Sequence, residues 1–103
     1  MEQAELFSLL KSAGLPVAYH HFKKPPAPPY LVCLFAYSNN FGADNGVYSK
    51  ANNYQVELYT TKKDPETENL VESALDAAEI YWEKSEAYIE SEELFQVLYA
   101  VEI

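Results

Sequence analysis

Leu6, Leu9, Leu10 and Ala13 recur on one stripe of a 3.6-residue period, with Phe7 at its edge, which predicts a helix over Glu2–Ala13. Gly14 is a natural stop and Pro16 prevents continuation. Val17–Lys23 then predicts a short strand. The run Lys23-Lys-Pro-Pro-Ala-Pro-Pro29 cannot supply the N–H donors of a ladder, so it predicts an extended, polyproline-like connection. Tyr30–Tyr37 is eight apolar residues without a charge, the pattern of a central strand covered on both faces.

Ser38–Asn53 interrupts the pattern with turn chemistry: Asn39-Asn40, Gly42, Asp44-Asn45-Gly46 and Asn52-Asn53. In Tyr54–Thr61 the alternation returns, with Tyr54, Val56, Leu58 and Thr60 on one face and Gln55, Glu57 and Tyr59 on the other. Asp64-Pro65 is an N-cap followed by proline at the first helical position, and Glu66 and Glu68 suit the positive end of a helix dipole. Leu70, Val71, Ala74, Leu75 and Ala78 supply the buried stripe of a helix over Glu66–Ala78. Ile80–Ile89 and Leu94–Ile103 predict two strands joined by Glu90-Ser-Glu-Glu93. The expected fold is therefore α+β, in the order α-β-β-β-α-β-β: a mostly antiparallel sheet with two helices packed on one face. One domain spans residues 1–103, with 38–53 as a long hairpin connection of the kind that small domains keep for function.

Charge divides the chain unevenly. Asp64–Ile103 holds twelve acidic residues and a single base, Lys84, whereas Met1–Lys63 holds four acids and six lysines. There is no arginine, and the net charge is −9. A surface this acidic repels phosphate backbones, which excludes ordinary nucleic-acid gripping. The candidate acidic face comprises Glu83, Glu86, Glu90 and Glu92. Apolar residues make up 49% of the chain, too many for a disordered acidic tail. No stretch reaches the roughly 18–20 apolar residues that a membrane span requires. The acidic N-terminus does not resemble a secretory signal, and the lone Cys33 allows no intrachain disulfide, so folding in a cytosol is expected. Within Leu31-Val-Cys-Leu-Phe35 that thiol reads as a buried small hydrophobe rather than a nucleophile.

No arrangement of residues calls for catalysis, a metal or a cofactor. His20 and His21 are adjacent, so on a strand they point to opposite faces and cannot chelate one ion together. Glu92-Glu93 reads as a solvated turn, since nothing nearby separates the two acidities as acid–base catalysis needs. No nucleophile elbow surrounds any serine, and three glycines are too few for a phosphate-cradling loop. Asp44-Asn45-Gly46 lacks the remaining oxygen ligands and the distal Glu of a calcium loop. Lys23-x-x-Pro26-x-x-Pro29 fits a proline motif for an SH3 domain, yet such a short pattern is common and here leads straight into a strand. The nine tyrosines read as core and subunit-contact residues, because a stacking platform for single strands needs basic neighbours.

Leu15-Pro-Val-Ala-Tyr19, Pro25-Pro-Ala-Pro-Pro-Tyr30, Ser38-Asn-Asn-Phe-Gly-Ala-Asp44 and Tyr54-Gln-Val-Glu-Leu-Tyr-Thr-Thr-Lys-Lys-Asp64 together resemble a family of small proteins from tailed phages and prophages of Gram-positive bacteria. Glu86-Ala-Tyr-Ile-Glu-Ser-Glu92 and Tyr99-Ala-Val-Glu-Ile103 extend the resemblance over essentially the whole chain. These are pattern-level matches, not a catalytic signature. The family is similar to head–tail connection components, above all the tail terminator or tail-completion protein. The resemblance implies a structural, non-enzymatic virion protein of the neck, made in the bacterial host cytoplasm. Its partners would be copies of itself in a ring, commonly a hexamer, together with the tail tube protein and a head-completion protein. DNA would pass through such a ring without tight binding, and no membrane or cofactor is involved. Within the long connection, the candidate assembly contacts are Phe41, Val47, Tyr48 and Lys50. Two alternatives stand beside this expectation: an acidic DNA mimic that inhibits a host nucleic-acid enzyme, and an adaptor using the proline motif.

Overall fold

Two capped helices and a five-stranded sheet form where the periodicity changes. The computed structural model describes residues 1–43, 46–49 and 51–103, and for 41, 43 and 46–49 it describes the backbone alone. Helix α1 (Gln3–Lys11) buries Leu6 and Leu10. The Glu5 carboxylate accepts from the Glu2 N–H at 3.3 Å, satisfying one of the free donors at the helix start. Gly14 then takes φ 88°, the left-handed conformation that turns the chain toward the sheet. Strand β1 (Val17–Tyr19) is shorter than the expected Val17–Lys23, because His20 adopts φ 68° and leaves the extended conformation. The bend also brings the two histidines together, Nδ1 to Nδ1 at 3.1 Å, rather than to opposite faces.

Strand β2 (Tyr30–Ser38) pairs in parallel with β1 and antiparallel with β5 (Asn52–Thr60). Between them, β3 (Phe41–Ala43) and β4 (Gly46–Ser49) pair as a separate two-stranded ribbon. After helix α2 (Pro65–Ala77), strands β6 (Trp82–Ile89) and β7 (Leu94–Glu102) complete a sheet of order β1-β2-β5-β7-β6. The central strand is thus β5, whose alternation buries Tyr54, Val56, Leu58 and Thr60. The expectation that the Tyr30–Tyr37 run would be central and covered on both faces needs correction. Only Tyr30–Cys33 is buried; beyond it β1 has ended, and Phe35–Ser38 is exposed.

The α+β class and the mostly antiparallel sheet hold, with both helices on one face. Leu6 and Leu10 from α1 and Val71 and Leu75 from α2 meet Leu31, Cys33, Val56, Leu58, Val97 and Tyr99 from the sheet. Cys33 is fully buried in this core, which pushes its thiol up to about 12. The α2 stripe is rotated from the predicted one. Leu70 is 51% exposed while Glu68 is 3% exposed, because Glu68 shares the helix face of Val71 and Leu75 and finds cationic partners there. No helix among the described residues is long and apolar enough to cross a membrane.

Candidate assembly surfaces

At its two ends the sheet leaves backbone unpaired, and the reasons lie in the lengths of the strands. β1 covers β2 only from Leu31 to Cys33, so Leu34–Ser38 has a neighbour on the β5 side alone among the described residues. The Tyr19 hydroxyl accepts from the Phe35 N–H at 3.2 Å and so closes the first open donor. Past this point Phe35 and Tyr37 stand in solvent, 43% and 60% exposed. At the opposite edge β6 pairs only with β7 among the described residues, and none of its residues is buried. Unpaired strand edges are templates for pairing with another chain. Joining β2 to β5 at one end of the sheet, β3 and β4 pair with each other. The resulting molecule is 50 × 28 × 23 Å with a radius of gyration of 14.7 Å, above the ~13 Å of a compact chain of this size.

The two faces of the sheet differ in charge. Register places Glu57, Glu83 and Glu102 on the face away from the helices, beside Gln55, Gln96, Ser85 and Ala100, and no lysine lies among these β5–β7 positions. On the helix side, β6 sends Lys84 and Glu86 toward α2. Lys84 Nζ lies 3.1 Å from Glu68 Oε1 and 2.7 Å from Glu72 Oε2; Lys63 Nζ lies 2.7 Å from Glu68 Oε2 and 2.7 Å from Glu86 Oε1. The Lys63–Glu68 contact is an ion pair without the angle of a good hydrogen bond. Below them the buried Tyr99 hydroxyl donates to Glu72 Oε2 at 2.8 Å. Burial alone would raise the Glu68 pKa, but the two lysines outweigh it and hold the carboxyl below its ordinary value. Their own ammonium groups are pushed up, Lys63 chiefly by its close ion pair with Glu68 and its hydrogen bond to Glu86, and Lys84 chiefly by its bond to Glu72. The acidic half is therefore partly neutralised where α2 meets β6, by its own Lys84 and by Lys63 just before it.

The four residues of the candidate acidic face do not share one face. Glu83 and Glu86 are three apart on β6 and point to opposite sides. Glu83 accepts from the Tyr81 hydroxyl at 2.8 Å, and Glu86 is held by Lys63. Glu90 and Glu92 lie in the β6–β7 turn, where Glu92 reaches the surroundings of Tyr30. Of the candidate assembly contacts, Lys50 and the side chains of Phe41, Val47 and Tyr48 lie outside the described residues. The segment holding the last three is a ribbon rather than a loop, a backbone pairing hidden in sequence by its asparagines and glycines.

Sequence reasoning missed Glu68 as the hub of an ion network. Its spacing of three and seven from Val71 and Leu75 was the available signal. No group of three or more His, Cys, Asp or Glu placed to hold a metal occurs among the described residues. Comparison of the chain with protein-family models and with curated proteins found no match.

Proposed function

We propose that this protein is a structural subunit of the phage neck that assembles head-to-tail into a ring capping the tail tube. One observation carries the assembly part: the sheet ends in two unlike open edges, β2 beyond the end of β1 and the acid-bearing β6, on opposite sides of the protomer. A closed ring needs two different, complementary patches on each subunit. The segment following β1 adds exposed Lys23 and Lys24 on the β2 side, opposite Glu83 and Glu86 on β6. The ribbon between β2 and β5 is a natural arm toward a neighbour or the tube. The assignment to a phage neck rests on the sequence resemblance. The lysine-free outer face of β5–β7, where Glu57, Glu83 and Glu102 stand among glutamines, small residues, Tyr59 and Leu98, suits a passage that DNA must cross without adhering.

Dispersal of the acids weighs against the decoy reading. A DNA mimic needs charges arrayed on one surface, whereas here Glu68, Glu72 and Glu86 are engaged by lysines and Glu83 points the other way. The proline motif is half-buried at Pro26, Pro28 and Pro29 against the sheet end, which disfavours an SH3 ligand. The test is to add the purified protein to tails from a terminator-deficient phage. Binding at the head-proximal end and restored tail length support the proposal. A protein that stays monomeric and never binds those tails overturns it.

A further inference from the structure

At the end of the sheet opposite the β3–β4 ribbon, residues 20–29 lie against the outer face and bury Tyr30 and Val32 there. Phe22 stands edge-on to Tyr30, with centroids 5.3 Å apart, and Tyr30 stacks on its cross-strand partner Tyr59 at 5.2 Å. Two hollows meet at this place. One, of about 220 Å³, lies between Phe22 and Tyr59; the other, of about 380 Å³, lies along Pro26 and Pro28. Both are lined by Pro25, Tyr30 and Glu92, so they form one groove with aromatic and proline walls.

The carboxylates lining the groove are Glu92 and Glu93, with the imidazoles of His20 and His21 at its other end. The two carboxylates come from the β6–β7 turn, and neither makes an ion pair among the described residues. Lys23 and Lys24 belong to the same wall segment, yet they are exposed and pair with neither glutamate. The Tyr30 hydroxyl is raised first by burial and then by the charge of Glu92, which places that carboxylate's field at the floor of the groove. Aromatic faces carry negative quadrupoles that attract cations, and prolines offer an apolar wall to an alkyl stem. An anion would be repelled here, and a purely apolar group would leave Glu92 unanswered.

We propose that this groove binds an arginine or lysine side chain on an extended segment of a partner protein. The cationic head sits between Glu92 and the Phe22–Tyr30–Tyr59 rings, and the flanking stem lies along Pro26 and Pro28. A basic partner gains from the field of a chain with net charge −9, whereas a second copy brings the same charge with it. The groove shares segment 20–29 with the β2-side patch but takes no residue from Leu34–Ser38 or from β6, so it stands whether or not a ring forms.

The test is an NMR titration of the full chain with an N-acetylated, amidated Gly-Ser-Arg-Ser-Gly peptide, and with its Gln counterpart as the uncharged probe. The expected result is a set of shifts centred on Phe22, Tyr30, Tyr59 and Glu92 with the Arg peptide and none with the Gln peptide. Affinity should fall at least about tenfold in a Glu92→Gln/Glu93→Gln variant, whose changes lie on an exposed turn, and should also fall in Phe22→Leu. Three outcomes overturn the proposal: no shift at millimolar Arg peptide, equal shifts with both peptides, or unchanged affinity in the glutamine variant. A fourth would do so as well. Shifts at these same residues on concentrating the protein alone, lost in Lys23→Gln/Lys24→Gln, would give the groove to a second copy.

Discussion

Glu79 holds φ 57°, a left-handed conformation that L side chains adopt at a cost and glycine does not. It does so because α2 ends in a Schellman motif: the Ile80 N–H bonds to the Leu75 carbonyl at 3.0 Å and the Glu79 N–H to that of Asp76 at 2.9 Å. Ile80 and Leu75 both lie in the core, so the helix end is pinned by packing as well. Glu79→Gly should therefore raise stability by about 0.5–1 kcal/mol, and Glu79→Ala by less, measured by urea denaturation. The stop near Ala78 was legible in the sequence, but its cap was not, since the usual glycine is absent. Glu68 is the second residue with a definite expectation. Its lowered folded value means that its ion pairs stabilise the fold above its ordinary value of 4.5 and are lost as pH falls through the folded one. Lys63 and Lys84 act in the other direction, stabilising below 10.5 and losing this as pH rises through their raised values. Glu68→Gln should cost about 1–2 kcal/mol at neutral pH, less than a fully buried pair because both lysines are substantially exposed. It should also flatten the acid limb of the stability–pH curve; an unchanged acid limb would show that the network contributes nothing.

Among the elements, β5 and α2 set the contrast between what periodicity reveals and what it conceals. β5 reads correctly because a half-buried strand repeats every two residues, and Tyr54, Val56 and Leu58 all face the helices. Leu58→Ala should cost about 2–5 kcal/mol, since the side chain is fully buried at the middle of the sheet. Leu70→Ala should cost under about 0.5 kcal/mol despite the same chemistry, because Leu70 stands in solvent. Denaturant midpoints for the two variants would decide this. The α2 stripe differs from the periodic one because Lys84 on β6, 16 residues away, and Lys63 before the helix draw Glu68 and its side of the helix inward. Likewise the apolar run of β2 promised two covered faces. Coverage depends on the length of the neighbouring strand, and β1 stops at Tyr19 for a backbone reason that no hydrophobic pattern encodes.

As a whole molecule the protein is a sheet with helices on one face, an acid-bearing outer face, a projecting ribbon and two unlike open edges. The charge split seen along the chain becomes spatial only in part. The order β1-β2-β5-β7-β6 does carry the first strands to one side and β6 to the other, but Lys63 and Lys84 neutralise much of the acid at α2. What remains for assembly is the difference between the edges. Intermolecular cysteine pairing reads that difference directly. Ala36→Cys lies on the exposed end of β2 and Ser85→Cys on exposed β6, three strand spacings and a four-residue register offset apart within one protomer, more than about 14 Å and too far for an internal disulfide. Buried Cys33, its thiol pushed up to about 12, stays out of the reaction. Oxidised in the presence of terminator-deficient tails, the double variant should give a ladder of covalent oligomers ending at one closed ring, and each single variant should stay monomeric. Dimers from Ser85→Cys alone, or no cross-link in the double variant with tails present, would contradict head-to-tail assembly through these edges.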